Sequence, residues 1–169
     1  MIIQNAIGTF LQEVSVSAVS SQPFINLAST GFVNFNIIFS AFSTTAASVS
    51  IQYSINNGSS YVGAANYSSS CFVNASNSAT WSNVTLTSGL LLSQNIAITS
   101  LNGNYFLYNM NTASNYIFLT GMAEQYNGTI VNLLLSTGRA TTQSAKGNAF
   151  QVLVASGTMS GTISLYGLS

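Results

Sequence analysis

The apolar residues of this chain recur at every second position. In SVSIQYSI (48–55), Val49, Ile51, Tyr53 and Ile55 fall on one side of an extended backbone, and Ser48, Ser50, Gln52 and Ser54 on the other. Successive side chains of a strand point to opposite faces, so this spacing fits a half-buried β-strand; a helix would bring its apolar stripe back about every 3.6 residues. The same alternation runs through EVSVSAV (13–19) and through GFVNFNIIFS (31–40), where Val33, Phe35, Ile37 and Phe39 share a face. It returns in AFQVLVA (149–155), with Phe150, Val152 and Val154, and in GTISLYGL (161–168), with Ile163 and Leu165. Helix formers with charged caps are missing throughout.

Turn chemistry agrees. Asn-Gly occurs between apolar runs at Asn57-Gly58, Asn102-Gly103 and Asn127-Gly128. Both residues tolerate the positive φ of type I′ turns, whose twist matches that of paired strands, so each predicts a hairpin. Pro23, in SSQPF, reads as a turn after a first strand. The expectation is an all-β chain of about eight to ten strands, arranged as an antiparallel, jelly-roll-like β-sandwich. A closed up-and-down barrel is the alternative. A length of 169 residues is that of one domain. Residues 1–12 read as an extended N-terminal arm.

Charge is almost absent. Glu13, Glu124, Arg139 and Lys146 are the only ionised side chains, 2% of the chain, where an average soluble domain has roughly 25%. Polar surface must come instead from 19 Asn, 28 Ser and 16 Thr. Net charge is zero, so nothing holds copies of the chain apart, and association is favoured. Two cations cannot supply the phosphate contacts of a nucleic-acid partner. The apolar runs fall short of the roughly 18 residues of a membrane span. MIIQNAIGTFLQE lacks the basic start and small-residue cleavage site of a signal peptide.

The inventory also removes most catalysis. There is no His and no Asp, hence no Ser-His-Asp triad, no Cys-His pair and no His-based metal site. A paired-carboxylate glycosidase would need Glu13 and Glu124 brought within about 10 Å. Ser144 and Lys146 could form a Ser-Lys dyad, but without the sequence context of one. Cys71 is alone and reads as a small buried hydrophobe. Trp81 and the eight tyrosines could stack on sugars, or could serve the core and strand pairs. The expectation is a non-enzyme with no cofactor and no metal. Arg139 and Lys146 flank TGRATTQSAKGN, which reads as an exposed loop. Either cation could pair with Glu124 across a subunit interface. Glu124, Arg139, Lys146 and Tyr166 are the candidate interface residues.

The ending SGTMSGTISLYGL (156–168) resembles the final strand of small structural proteins encoded by tailed bacteriophages. FNIIFS (35–40) and SIQYSINNGSSYVGAANY (50–67), with Ser54, Gly58 and Tyr61 spaced as in those proteins, extend the likeness, as does the middle segment 103–128. The resemblance implies a virion component: a capsid decoration, or cement, protein on the outer surface of the head. It would be a homotrimer bridging subunits of the major capsid protein. A tail-fibre or tail-tip module binding the host surface is the alternative, and an extracellular filament or surface-layer subunit the second. The resemblance carries no catalytic residues.

Overall fold

The computed structural model describes residues 8–45, 48–63, 65–76, 81–93, 97–113, 115–141 and 146–169. In chain order the strands are β1 (Thr9–Val19), β2 (Ser21–Phe24), β3 (Asn34–Thr44), β4 (Val49–Ser54), β5 (Tyr67–Ala75), β6 (Trp81–Leu86), β7 (Leu90–Leu91), β8 (Ile98–Tyr108), β9 (Phe118–Tyr126), β10 (Val131–Ala140), β11 (Ala149–Val154) and β12 (Met159–Leu168). One 3₁₀ turn, Leu27–Thr30, interrupts them. Eight strands form one sheet in the order β1-β12-β3-β8-β9-β10-β5-β6, and four form a second in the order β2-β11-β4-β7. Every described pairing is antiparallel. Both sheets keep open edges, so the fold is a sandwich and not the closed barrel.

The alternating segments supply the core. Phe35, Ile37 and Phe39 of β3 turn inward with 0–1% exposure, as do Phe150 and Val152 of β11 and Ile163 and Leu165 of β12. Between neighbouring strands of the smaller sheet, Phe24 of β2 stacks on Phe150 of β11 with centroids 4.9 Å apart, and between β3 and β8 of the larger sheet Phe39 meets the Tyr105 ring edge-on at 5.6 Å. β12 lies between β1 and β3, so the final strand is paired on both sides. Its bulge falls at Gly161, whose φ of 134° brings it against the Phe42 backbone. Residues 9–12 of the expected arm belong to β1 and pair with β12; residues 1–7 lie outside the described set.

Several expectations fail for identifiable reasons. The described residues form twelve strands where about eight to ten were expected, because β2 and β7 have four and two residues, too few for alternation to register. Pro23 sits inside β2 rather than in a turn; β2 is an edge strand, where a missing N–H costs no ladder bond. Of the three Asn-Gly pairs, only Asn127-Gly128 closes a hairpin, joining β9 to β10. There the Asn127 carboxamide oxygen accepts from the N–H groups of Thr129 and Ile130 at 3.0 and 2.8 Å. Asn57-Gly58 does turn the chain, with φ of 56° and 87°, but leads from β4 in one sheet to β5 in the other. In that turn Gly58 N–H donates to the Ser54 hydroxyl at 2.9 Å, and a Gly58 side chain would run into Tyr61. Asn102-Gly103 lies within β8, where an absent side chain leaves room for the Tyr105 ring.

The serines of β4 are buried too: Ser50 is 7% exposed and Ser54 0%, so the strand is covered on both faces rather than half-buried. Buried hydroxyls do the work that charges do elsewhere. Tyr105 and Ser136 hydroxyls both donate to the Leu92 carbonyl, at 2.8 and 3.1 Å. Ser69 donates to the Gly89 carbonyl and accepts from Leu91 N–H. These bonds fasten the β7 region to the larger sheet.

Candidate interaction surface

In β10, VNLLLSTGRA, the alternation runs with its larger apolar residues outward. Asn132, Leu134, Ser136, Gly138 and Ala140 face the core, and Val131, Leu133, Leu135, Thr137 and Arg139 face away from it. β9 repeats the pattern. Leu119, Gly121, Ala123 and Gln125 point inward; Phe118, Thr120, Met122, Glu124 and Tyr126 point outward. The inner face must be slender here because the fully buried Tyr105 ring lies over Gly103 and Gly121. The bulk goes to the other side.

Register places these residues in rows across the whole sheet. One row reads Asn83, Phe72, Leu135, Met122, Asn104, Ile38, Ser164 and Glu13, one residue per strand from β6 to β1. The next reads Thr85, Ser70, Thr137, Thr120, Phe106, Asn36, Tyr166 and Phe10. Over β5, β9 and β10 the first row is bulky and apolar and the second small and hydroxylated. Phe72, Phe118, Met122, Tyr126, Val131, Leu133 and Leu135 are 37–58% exposed on this one face. At roughly 200 Å² per large side chain they leave on the order of 600 Å² of apolar surface, the upper end for an uncommitted monomer. Two shallow hollows flank the bulky row. One, of about 240 Å³, is lined by Ser68, Ser70, Phe118, Thr137 and Arg139; the other, of about 430 Å³, by Ile38, Asn102, Asn104, Met122, Glu124 and Leu133.

Glu124 and Arg139 both lie on this face, exposed, on neighbouring strands. Glu124 stands opposite Leu133 and Arg139 opposite Phe118, so six residues, about 20 Å, separate them along the strands. Arg139 is therefore strand and not the loop expected; its guanidinium carbon lies 5.8 Å from the Tyr116 ring centroid. Tyr166 shares the face but stands on β12, against Phe10. Lys146 is exposed just before β11 and belongs to no strand. Glu13 accepts a 2.8 Å hydrogen bond from Ser164. Four strand spacings, about 19 Å, lie between the strands of Glu13 and Glu124, too far for a carboxylate pair.

Among the described residues no group of three His, Cys, Asp or Glu side chains converges, and no helix is long and apolar enough to cross a membrane. Burial pushes the Cys71 thiol up, with a hydrogen bond to Ser136 partly offsetting it. Ser144, the Lys146 dyad partner considered from sequence, lies outside the described residues, as does the side chain of Trp81. Tyr53, Tyr67 and Tyr105 are core residues.

No protein-family model matches the chain, and neither does any curated protein or any solved structure.

Of the candidate interface residues Glu124, Arg139, Lys146 and Tyr166, all but Lys146 share this face, and the apolar residues among them were not candidates. Their signal was the phase of β10: Val131, Leu133 and Leu135 share one parity, while Asn132, Ser136 and Gly138 fall on the other with Leu134 alone among the large apolar residues.

Proposed function

We propose that this chain is a non-catalytic structural module that works by burying the outer face of β5, β9 and β10 in an assembly. The observation that supports this reading is the outward run of apolar side chains on β9 and β10. At about 25 cal/mol per Å², covering that surface would yield on the order of 15 kcal/mol. Association costs roughly 4–15 kcal/mol before any net affinity appears, so the face is large enough to support binding. A chain with four charged side chains in 169 residues gains little from charged contacts and has little to be screened or titrated. Such a part holds across a range of salt.

The assembly we propose is the outer surface of a bacteriophage head, where the module acts as a decoration protein. It bridges neighbouring capsid subunits through apolar and neutral polar contacts. The likeness of SGTMSGTISLYGL to the last strand of phage structural proteins supports this assignment.

Quantitative mass spectrometry of purified virions tests it. Hundreds of copies per particle are expected, because only the shell offers that many equivalent sites. A count near a dozen would move the module to the tail, and its absence from virions would end the reading.

A further inference from the structure

We propose that the outer face of β5, β9 and β10 pairs with the same face of a second copy. The two-fold axis lies between the two sheets, runs across the strands and passes over the Gly121–Ser136 register. The proposal rests on the assembling-module reading above and names what covers the face.

Charge complementarity fixes the axis. Gly121 stands opposite Ser136; Glu124 lies three residues beyond it on β9 and Arg139 three residues beyond it on β10. The strands are antiparallel, so the two charges sit equally far from that register in opposite directions. Rotation about the axis reverses strand direction. It brings Glu124 of each copy to the level of Arg139 of the other, offset by one strand spacing of about 4.8 Å, within reach of both side chains. Two reciprocal ion pairs result. A two-fold axis along the strands would instead set Glu124 near Glu124 and Arg139 near Arg139, and like charges repel.

Shape agrees with charge. The bulky row Phe72–Leu135–Met122 runs on one side of the axis, and the small row Ser70–Thr137–Thr120 on the other. The rotation lays each bulky row over the partner's small row, so ridges enter grooves. Area agrees as well. The apolar part, on the order of 600 Å² per copy, with the hydroxyl row and both charges around it, reaches the roughly 800 Å² per partner of a standard stable interface. A face packed on its own copy is isologous, so the basic unit is a dimer rather than the trimer the resemblance implied.

The test is the mass of the full-length chain in solution across concentration, by sedimentation equilibrium. The wild type is expected to be a dimer at micromolar concentration. Glu124→Arg or Arg139→Glu alone, each placing like charges together twice, is expected to weaken the dimer at least about tenfold. The double variant Glu124→Arg/Arg139→Glu restores the attraction and is expected to return to within about threefold of wild type. A wild-type monomer at high micromolar concentration, a trimer, or single variants that dimerise as tightly as wild type would overturn the pairing. Met122→Asp separates the two levels. If it abolishes association while the charge reversals do nothing, the face docks in another register and the proposed function survives. If association is indifferent to Met122→Asp as well, the face is not an interface and the proposed function falls with it.

Discussion

Gly121→Ala tests the packing that sends bulk outward on β9. A Cβ at Gly121 would lie 2.4 Å from Tyr105 Cδ1, 2.6 Å from the Asn104 carbonyl oxygen and 2.8 Å from Tyr105 Cα. Two of those three atoms are backbone, and Tyr105 is fully buried with its hydroxyl held by Leu92, so nothing nearby can swing aside. Overpacking of this kind costs about 1–3 kcal/mol, and the backbone clash puts Gly121 at the top of that range. Any Gly→Ala change also gains about 0.4–1 kcal/mol through the unfolded chain. Gly63→Ala supplies the control, since a Cβ there meets nothing within 4 Å. The unfolded-state gain cancels between the two variants and leaves the clash, about 3 kcal/mol. At an unfolding entropy of about 2.1 cal/mol/K per residue, each kcal/mol moves the Tm of a chain this long by about 3 °C. By differential scanning calorimetry, Gly121→Ala is therefore expected to melt about 9 °C below Gly63→Ala. Melting within about 2 °C of each other would refute the tight seat of Tyr105 against Gly121.

Three further outcomes are expected. Tyr105→Phe strips the Leu92 carbonyl of its 2.8 Å buried donor, leaving the longer bond from Ser136, and should cost about 1 kcal/mol by urea unfolding with an unchanged m-value; no loss would mean that bond contributes nothing. Gln125 is fully buried with neither carboxamide atom bonded among the described residues, beside Asn132, whose amide nitrogen is also unpartnered among them, so Gln125→Met should raise the Tm by roughly 3–5 °C, and a fall would show that water or a ligand satisfies the amide. Burial raises the phenols of Tyr105, Tyr67 and Tyr53 above their ordinary value of 10.0. Above that pH the folded state holds protons that the unfolded state has released. Stability is thus fully present below about pH 10 and lost as pH rises beyond it, and denaturant midpoints that stay level into strong alkali would contradict the burial of these rings.

How legible all this was depended on which forces set each strand. β3, β11 and β12 could be read directly, because Phe35, Ile37 and Phe39, Phe150, Val152 and Val154, and Ile163 and Leu165 each share one parity within their strand and that parity faces the core. β10 could not, because the phase of its pairing decides which side is buried. That phase follows from Tyr105 needing Gly121 and Gly103 beneath it, a contact between the neighbouring strands β8 and β9. Asn102-Gly103 misled for the same reason, since glycine there answers a packing demand rather than a turn. Pro23 gave a true boundary signal of the wrong kind: an edge strand tolerates it. Of the candidate site, the charges stood out because they are so few. Phe72, Met122, Leu133 and Leu135 did not, because a sequence does not show which apolar residues lack a cover.

Methionine oxidation read by mass spectrometry tests most directly whether this face is buried in the assembled state. Met122 is 58% exposed in the single chain, while Met110 and Met159, at 0 and 1%, serve as slow internal references. At nanomolar concentration Met122 should react far faster than both references. At high micromolar concentration, and in the assembled particle, its rate should fall toward theirs. Oxidation of Met122 at one unchanged fast rate under all of these conditions would contradict the account.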